Sequence, residues 1–401
     1  MTSRKKNPID FIGRPVWAEV SFEALAQNYR AIRDYVNPAA EKRKTPRKVL
    51  CIVKGNGYGH GGPQVSKALE KAGADWFGVA SAGEGIELRK FGVRKPILVL
   101  GGFWRGEEKN LVQHNLTPAI HRCEQLAPFD AAAAKLGKKN VAFHLKMDTG
   151  MNRLGMSPND IECFARQFAK CPHLKLGGIF THFAASEVLT DTPMGRMTTL
   201  QMERLDGAVN RLRTLGIDPG IIHFANSAAI AARPDTWADM VRPGAILYGY
   251  HPGFDPPERR VEFEAKLRLR PVMSLRARII NVRSVATGEG VGYNGSWVAQ
   301  RPSRTAVISA GYADGVHRSL GNRGQFAIRG HLAPIIGIVS MDVTMLDVTD
   351  VPEAAVGDVA TLYGEDGERT YPANVIARSI GTVTSDLISG VGPRVPRIYF
   401  S

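Results

Sequence analysis

Short runs of β-branched and other apolar residues recur along the first two thirds of the chain, separated by longer stretches whose apolar residues fall at helical spacing. Eight such runs stand between residues 14 and 249, at 49–53, 76–81, 96–102, 116–120, 141–148, 176–183, 221–225 and 240–248. This alternation is the pattern of βα units wound around a parallel sheet. Eight units are enough to close a barrel, and such barrels take roughly 250 residues. In the first helical stretch Ser21 can cap the N-terminus, while Phe22, Leu25, Ala26, Tyr29 and Ile32 recur on one face.

The texture changes after His251. Residues 252–260 carry three prolines and read as a turn or linker. Strand-like runs follow at 274–285, 303–310, 324–328, 333–339, 344–348 and 359–362, and only 372–380 looks helical. The expected fold is α/β: a (β/α)8 TIM-like barrel over 14–258, then a mostly antiparallel β C-terminal domain over 259–401. Residues 1–13 are expected to be an extension.

Composition narrows the function classes. The chain has 401 residues, 44% of them hydrophobic and 22% charged, and its 52 basic against 38 acidic side chains leave a net +14. The densest basic runs, residues 1–6 and 42–48, lack interleaved aromatics, so no nucleic-acid partner is expected. Cys51, Cys123, Cys163 and Cys171 show no C-x-x-C spacing, which predicts no metal site and a reducing, cytoplasmic location. Pro8, Asp10, Arg14 and Pro15 interrupt what a secretory signal needs as an apolar stretch. Nothing later approaches about 20 consecutive apolar residues, so no membrane association is expected.

The first predicted barrel strand ends in Val53 and Lys54, followed by the glycine-rich run Gly55-Asn56-Gly57-Tyr58-Gly59-His60-Gly61-Gly62. A lysine at the C-terminal end of a barrel strand occupies a catalytic address, and the glycines admit close approach of backbone or ligand. Gly57-x-Gly59-x-x-Gly62 formally matches a dinucleotide fingerprint. That motif also wants an acid at the end of the next strand, whereas Asp75 precedes the strand. No phosphate-cradling G-x-x-x-x-G-K-[ST] segment exists.

Residues 53–61 resemble the cofactor-lysine signature of the alanine racemases, enzymes of fold type III that use pyridoxal 5'-phosphate (PLP). The resemblance continues through Lys146-Met147-Asp148-Thr149-Gly150-Met151-Asn152-Arg153, Thr181-His182-Phe183-Ala184, His223-Phe224-Ala225-Asn226-Ser227, Arg242-Pro243-Gly244, Val291-Gly292-Tyr293, Gly311-Tyr312-Ala313-Asp314-Gly315, Ser340-Met341-Asp342 and Arg394-Val395-Pro396-Arg397. It spans nearly the whole chain, in the family's order.

The resemblance implies a PLP-dependent racemase that interconverts L- and D-alanine for cell-wall peptidoglycan. Lys54 would carry the cofactor covalently and act as one base, a role that needs its amine to titrate below the ordinary lysine range. Tyr293, supplied by the partner subunit of a homodimer with shared active sites, would be the second base, with Arg153 contacting its phenol. Arg242 would face the pyridine nitrogen where many PLP enzymes place a carboxylate, and His182 would orient that arginine. Tyr58, Asn226, Ser227, Gly244 and Ala245 would also hold the cofactor. Arg153, with the backbone of Met341 and Asp342 from the partner, would meet the carboxylate of the small amino-acid substrate. Lys146 matches a lysine that is carbamylated in some members, and Arg318 an arginine at the substrate entrance.

Two departures stand out. The family usually has a pocket tyrosine where Ser385 stands, which opens serine racemisation or broad specificity as an alternative to alanine. Gly55 and Gly57 replace residues that are more often alanine. Decarboxylases of similar plan would normally present an acid at position 242, and non-enzymatic PLP carriers lack the second domain.

Overall fold

A computed structural model describes residues 12–41, 43–366 and 369–401. Most of the expected extension at 1–13, and Lys42 of the basic run, lie outside the described residues. The chain divides into two units, Phe22–Arg270 and a β unit that joins the segment ending at Ser21 to Pro271–Ser401.

In the first unit eight strands run in parallel, each hydrogen-bonded to its neighbour in sequence: Lys48–Ile52, Trp76–Val79, Ile97–Val99, Thr117–Ile120, Val141–Lys146, Leu174–Phe180, Ile221–His223 and Met240–Val241. The last strand pairs with the first at Lys48↔Met240. Asp239 N to Ile222 O (3.1 Å) and Arg242 N to Ala225 O (2.9 Å) close the ring. Each of the eight expected runs overlaps a strand, and most of the strands are shorter than the run. Residues 240–248 give only a two-residue strand, because the chain then turns at Gly244 into a 3-10 helix, Ala245–Tyr248.

Strand residues alternate between the barrel interior and the helices outside. Leu50, Ile52, Leu98, Ala119, Phe180 and Met240 form one buried cluster in the interior. The same alternation, continued two residues at a time, leads from Ile52 to Lys54, from Met240 to Arg242, and from Ile221 to His223. An apolar floor thus passes into a polar mouth at the C-terminal ends of the strands, where barrels of this kind carry their sites.

Two boundaries differ from the sequence-based expectation. Residues 259–270, assigned there to the C-terminal domain, belong to the barrel unit. They form a helix, Arg259–Lys266, whose Phe263 packs on Phe254 with ring centroids 4.7 Å apart and on Ala228 and Ala231. The prolines marked a turn, and the apolar anchor beyond it was not read. Residues 16–21, assigned to the barrel domain, are instead a strand of the β unit.

That strand, Val16–Ser21, pairs antiparallel with Met273–Val285 and parallel with Arg397–Phe400. Val16, Trp17, Ala18 and Val20 are all buried, as expected of a strand covered on both faces. Met273–Val285 also pairs with Val359–Asp366 and Ser303–Ile308, so six antiparallel strands return on themselves. The mostly antiparallel character expected from the short runs is what the unit has. Beside the expected helix, found at Ala373–Ser379, it contains a second, Thr384–Ser389.

Candidate active site

The strand Lys48–Ile52 delivers Lys54 to the barrel mouth, and the segment after it is more ordered than a flexible glycine loop. Residues 55–58 adopt φ of 63, 53, 64 and 51°, a complete left-handed turn. Such a conformation costs roughly 1–2 kcal/mol for each residue bearing a Cβ, less for asparagine and little for glycine. Gly55, Asn56 and Gly57 therefore make the turn accessible, and the strain falls mainly on Tyr58. Backbone bonds Gly57 N to Val53 O (2.8 Å) and Gly59 N to Gly55 O (2.9 Å) hold it. The carboxylate of Glu84 pins it from outside, accepting from Gly55 N and Ala80 N at 2.7 Å each.

The turn carries the Tyr58 ring onto Tyr248, with centroids 4.9 Å apart, and its hydroxyl to Gly244. A Cβ at Gly244 would lie 2.7 Å from that hydroxyl oxygen. Ser227 Oγ accepts from Gly244 N at 2.9 Å. Two hydroxyls and a backbone turn thus converge at the ends of the last two strands, beside the first residue of the helix Ser227–Ala232. Asn226 caps that helix: its Oδ1 accepts from Ala229 N (3.1 Å) and Ser186 Oγ (2.8 Å), so its oxygen serves the scaffold.

Arg242 lies in the interior, 3% exposed. Nη1 donates to His223 Nδ1 (3.1 Å) and His223 O (3.0 Å), and Nη2 to Thr181 O (2.7 Å) and Phe224 O (2.8 Å). A guanidinium has five N–H groups, so four are committed to the barrel and Nε–H is left for a ligand. Burial lowers Arg242 to about 9, which still leaves it charged at neutral pH. His182 does not hydrogen-bond to Arg242 among the described residues. The orienting ring is His223, one strand nearer, which the sequence reading did not assign.

His223 in turn bonds through Nε2 to His144 Nδ1 at 3.0 Å. Arginine can only donate, so His223 Nδ1 is an acceptor, its proton sits on Nε2, and His144 Nδ1 accepts that proton. The two rings are locked as Nε2–H tautomers. Burial and neighbouring cations hold His144 at about 3 and His223 well below the ordinary value, so both are neutral. His182 is likewise held at about 3 by burial and by Arg242, Arg153, Lys146 and Lys54.

Lys146 is a second buried cation. Its Nζ donates to Leu100 O at 3.3 Å and lies 5.6 Å from the centroid of Phe180, over which Arg242 also sits at 5.4 Å. Burial, with Arg153, Arg242 and Lys54 nearby, lowers Lys146 to about 8. Lys54, open to solvent as a residue, has its amine lowered by desolvation against the mouth and then by Arg153. Asp148 shapes the turn before Arg153 by accepting from Gly150 N and Asn152 N at 3.0 Å each. Arg153 lines a cavity of about 600 Å³ over the strand ends with Ser81, Trp104 and Arg122. Cations outnumber acids at this mouth, an arrangement suited to anionic ligands.

Tyr293, Met341, Asp342 and Ser385 belong to the β unit. Tyr293 follows the strand Gly290–Val291 and is 66% exposed. Met341 and Asp342 are exposed, and Ser385 is half-buried near the start of Thr384–Ser389. His144, His223, Phe180 and Glu84 went unread as site residues. Strand alternation, from Ile221 to His223 and from Lys146 back to His144, was the available signal for the two histidines.

The barrel residues fit what PLP needs: an amine depressed below its ordinary value for an aldehyde, two converging hydroxyls for a phosphate, and a donor with one uncommitted N–H for a pyridine nitrogen. No helix among the described residues is long and apolar enough to cross a membrane.

The family descriptions "Alanine racemase, N-terminal domain" and "Alanine racemase, C-terminal domain" match residues 20–252 and 272–399. The chain is 39% identical over 391 residues to an alanine racemase of Geobacter sulfurreducens, covering 97% of this chain and 98% of that protein. The alanine racemase structure of a D-cycloserine-producing Streptomyces lavendulae superposes with a TM-score of 0.88 at 29% identity, over 98% of each chain. The biosynthetic alanine racemase of Pseudomonas aeruginosa gives 0.82 at 34%, covering 97% of this chain and all of that one.

Proposed function

Since this chain belongs to the alanine racemase family of PLP-dependent isomerases, we propose that it interconverts L- and D-alanine with Lys54 and the partner subunit's Tyr293 as bases on opposite faces of the substrate. The observation that carries the reading is Arg242, whose four inward bonds leave one N–H where a carboxylate-type PLP enzyme would offer an acid.

Lys54 would hold PLP, with Tyr58, Ser227, Gly244 and Ala245 at its phosphate. Asn226 contributes by fixing the helix that bears Ser227. Bound there, PLP supplies an electron sink that makes the substrate Cα–H acidic. Arg242 would offer Nε–H to the ring nitrogen and would keep its proton, because even at about 9 a guanidinium is a far weaker acid than a protonated pyridine. By keeping its proton, Arg242 would leave the bound ring a weaker electron sink, which would favour proton return at the substrate Cα over transamination. His182, uncharged, adds no positive charge there.

A base near neutrality must lose its own proton first. The depressed amine of Lys54 supports that role, and Arg153 both lowers Lys54 and stands ready for the substrate carboxylate. Tyr293, two-thirds exposed, is available to a second copy of the chain, which supports a homodimer with shared sites. Met341 and Asp342 would add backbone contacts to the substrate carboxylate. We place the enzyme in the cytoplasm, where its D-alanine would feed peptidoglycan synthesis. A second reading, serine or broader specificity, rests on Ser385, where a small polar side chain replaces a ring.

The test is chiral chromatography of L-alanine, L-serine, L-lysine and L-arginine incubated with protein and PLP, with Lys54→Ala as control. D-alanine is expected to form fastest and only with Lys54 present. Faster D-serine would favour the second reading, and no enantiomer at all would overturn both. Replacing Tyr293 by Phe should reduce solvent deuterium entry at Cα in one direction more than in the other. An unaltered labelling pattern would remove it as a base.

A further inference from the structure

Two sequence motifs that the reaction leaves unused, residues 311–315 and 394–397, meet the loop of residues 340–342 at one point in the β unit. Asp314, whose carboxylate is fully buried, accepts from Arg14 Nη1 (2.6 Å) and Nη2 (2.7 Å), from Arg394 Nε (2.8 Å) and Nη2 (3.1 Å), and from Gly311 N (2.9 Å). The arginines do not stop at Asp314. Arg14 Nη2 also donates to Asp342 O at 2.5 Å, and Arg394 Nη2 donates to Met341 O at 3.2 Å and pairs with the Asp342 carboxylate at 2.7 Å. Two backbone bonds, Tyr312 N to Ser340 O (2.9 Å) and Ala313 N to Met341 O (3.1 Å), tie the same two loops together.

We infer that Asp314, Arg14 and Arg394 are positioning residues that preset the backbone of Met341 and Asp342 for the substrate carboxylate. The inference rests on the proposed role of that loop in binding substrate.

The physical case is an exposed loop given a buried anchor. Met341 is 52% exposed and makes no core of its own, so apolar packing cannot fix it. Carbonyls 341 and 342 are instead held by guanidinium groups that a buried carboxylate orients. Charge-assisted, forked bonds of this kind are shorter and more directional than neutral ones. Arg14 and Arg394 come from opposite ends of the chain, beside the strands Val16–Ser21 and Arg397–Phe400, which lie next to each other in the sheet. Burial alone would raise the Asp314 carboxyl, yet the bonds from Arg14 and Arg394 prevail and hold it below its ordinary value. The anchor therefore stays charged over the working pH range.

The test uses the full-length holoenzyme with its methionine methyl groups isotopically labelled, so that Met341 reports loop order by NMR while steady-state kinetics report binding. Asp314→Asn and the milder Arg14→Gln are compared with wild type after circular dichroism confirms that each folds. In both variants the Met341 signal should move to a mobile, averaged position, and KM for L-alanine should rise about tenfold with kcat within about twofold. An unchanged Met341 signal in both folded variants would overturn the anchor itself. A mobile Met341 with unchanged KM would instead show that the anchor holds a loop that does not bind substrate, overturning the positioning role and the loop assignment beneath it.

Discussion

Arg242 and His223 meet inside the barrel, Nη1 to Nδ1 at 3.1 Å, and this single contact decides where the protons of two histidines reside. Because guanidinium has no acceptor, His223 must carry its proton on Nε2 and pass the same order to His144. The chain Arg242, His223, His144 behaves as one unit whose end, His144 Nε2–H, meets no protein acceptor among the described residues.

One consequence is a sharp response to acid. His144 and His182 are held at about 3 in the folded state, against an ordinary 6.5. Between those values the unfolded chain binds more protons, so stability falls as pH falls through 6.5. The slope should approach 1.4 kcal/mol per pH unit per histidine, to roughly pH 3. Urea denaturation of wild type and His144→Gln from pH 7 to 4 checks this, with the flatter curve expected for the variant. Nitrogen NMR should find both linked rings as Nε2–H tautomers, and an Nδ1–H signal from either would contradict the network.

Lys146 should behave as a cost to the fold. Its amine is lowered from 10.5 to about 8, so the unfolded chain binds more protons between these values and wild-type stability rises with pH across that window. Lys146→Met is therefore expected to be more stable below pH 8, by up to about 3 kcal/mol from the shift alone. That advantage should shrink toward pH 10.5. Equal stability at pH 7 would mean that the buried charge is better compensated than its surroundings suggest.

The left-handed turn separates two glycines that look alike in sequence. Gly55 has φ 63° and open space around a notional Cβ, whereas at Gly57, φ 64°, that atom would lie 2.8 Å from Val65 Cγ2. Gly55→Ala should cost about 1 kcal/mol from backbone strain alone. Gly57→Ala adds overpacking and should cost about 2–4 kcal/mol in the same denaturation assay.

Gly244→Ala tests the phosphate cradle without touching Lys54. The added methyl would sit 2.7 Å from the Tyr58 hydroxyl oxygen, displacing it. PLP affinity, read from the absorbance of the lysine-bound cofactor during titration of the apoprotein, should fall about tenfold or more, the scale of losing one charge-assisted bond. Unchanged affinity would place the phosphate elsewhere.

The comparison of reading with structure turns on particular residues. Lys54 and Arg242 were singled out because strand-end position and family motif agreed, and the structure sets both just past strand ends. His223 lay within a quoted motif yet its role passed to His182, since two histidines near adjacent strand ends are equivalent until ring directions are known. Val16–Ser21 was counted with the barrel because it adjoins Phe22 in sequence, while its partners at 273–285 and 397–400 lie hundreds of residues away. Phe263 went unread behind three prolines, which announce a turn and say nothing of what packs after it.

Sequence by itself determined the period of the strands, the count of eight, the change of texture near 252–270, and which residue types could do the chemistry. These are local or motif-borne properties, expressed in neighbours along the chain. Tertiary structure alone decided that four of the five Arg242 donors are spent inside the barrel, that two histidines share one tautomeric order, and that Arg14 and Arg394 converge on Asp314. Each depends on which side chains of distant segments come within 3 Å, and that distance is set by packing rather than by order along the chain.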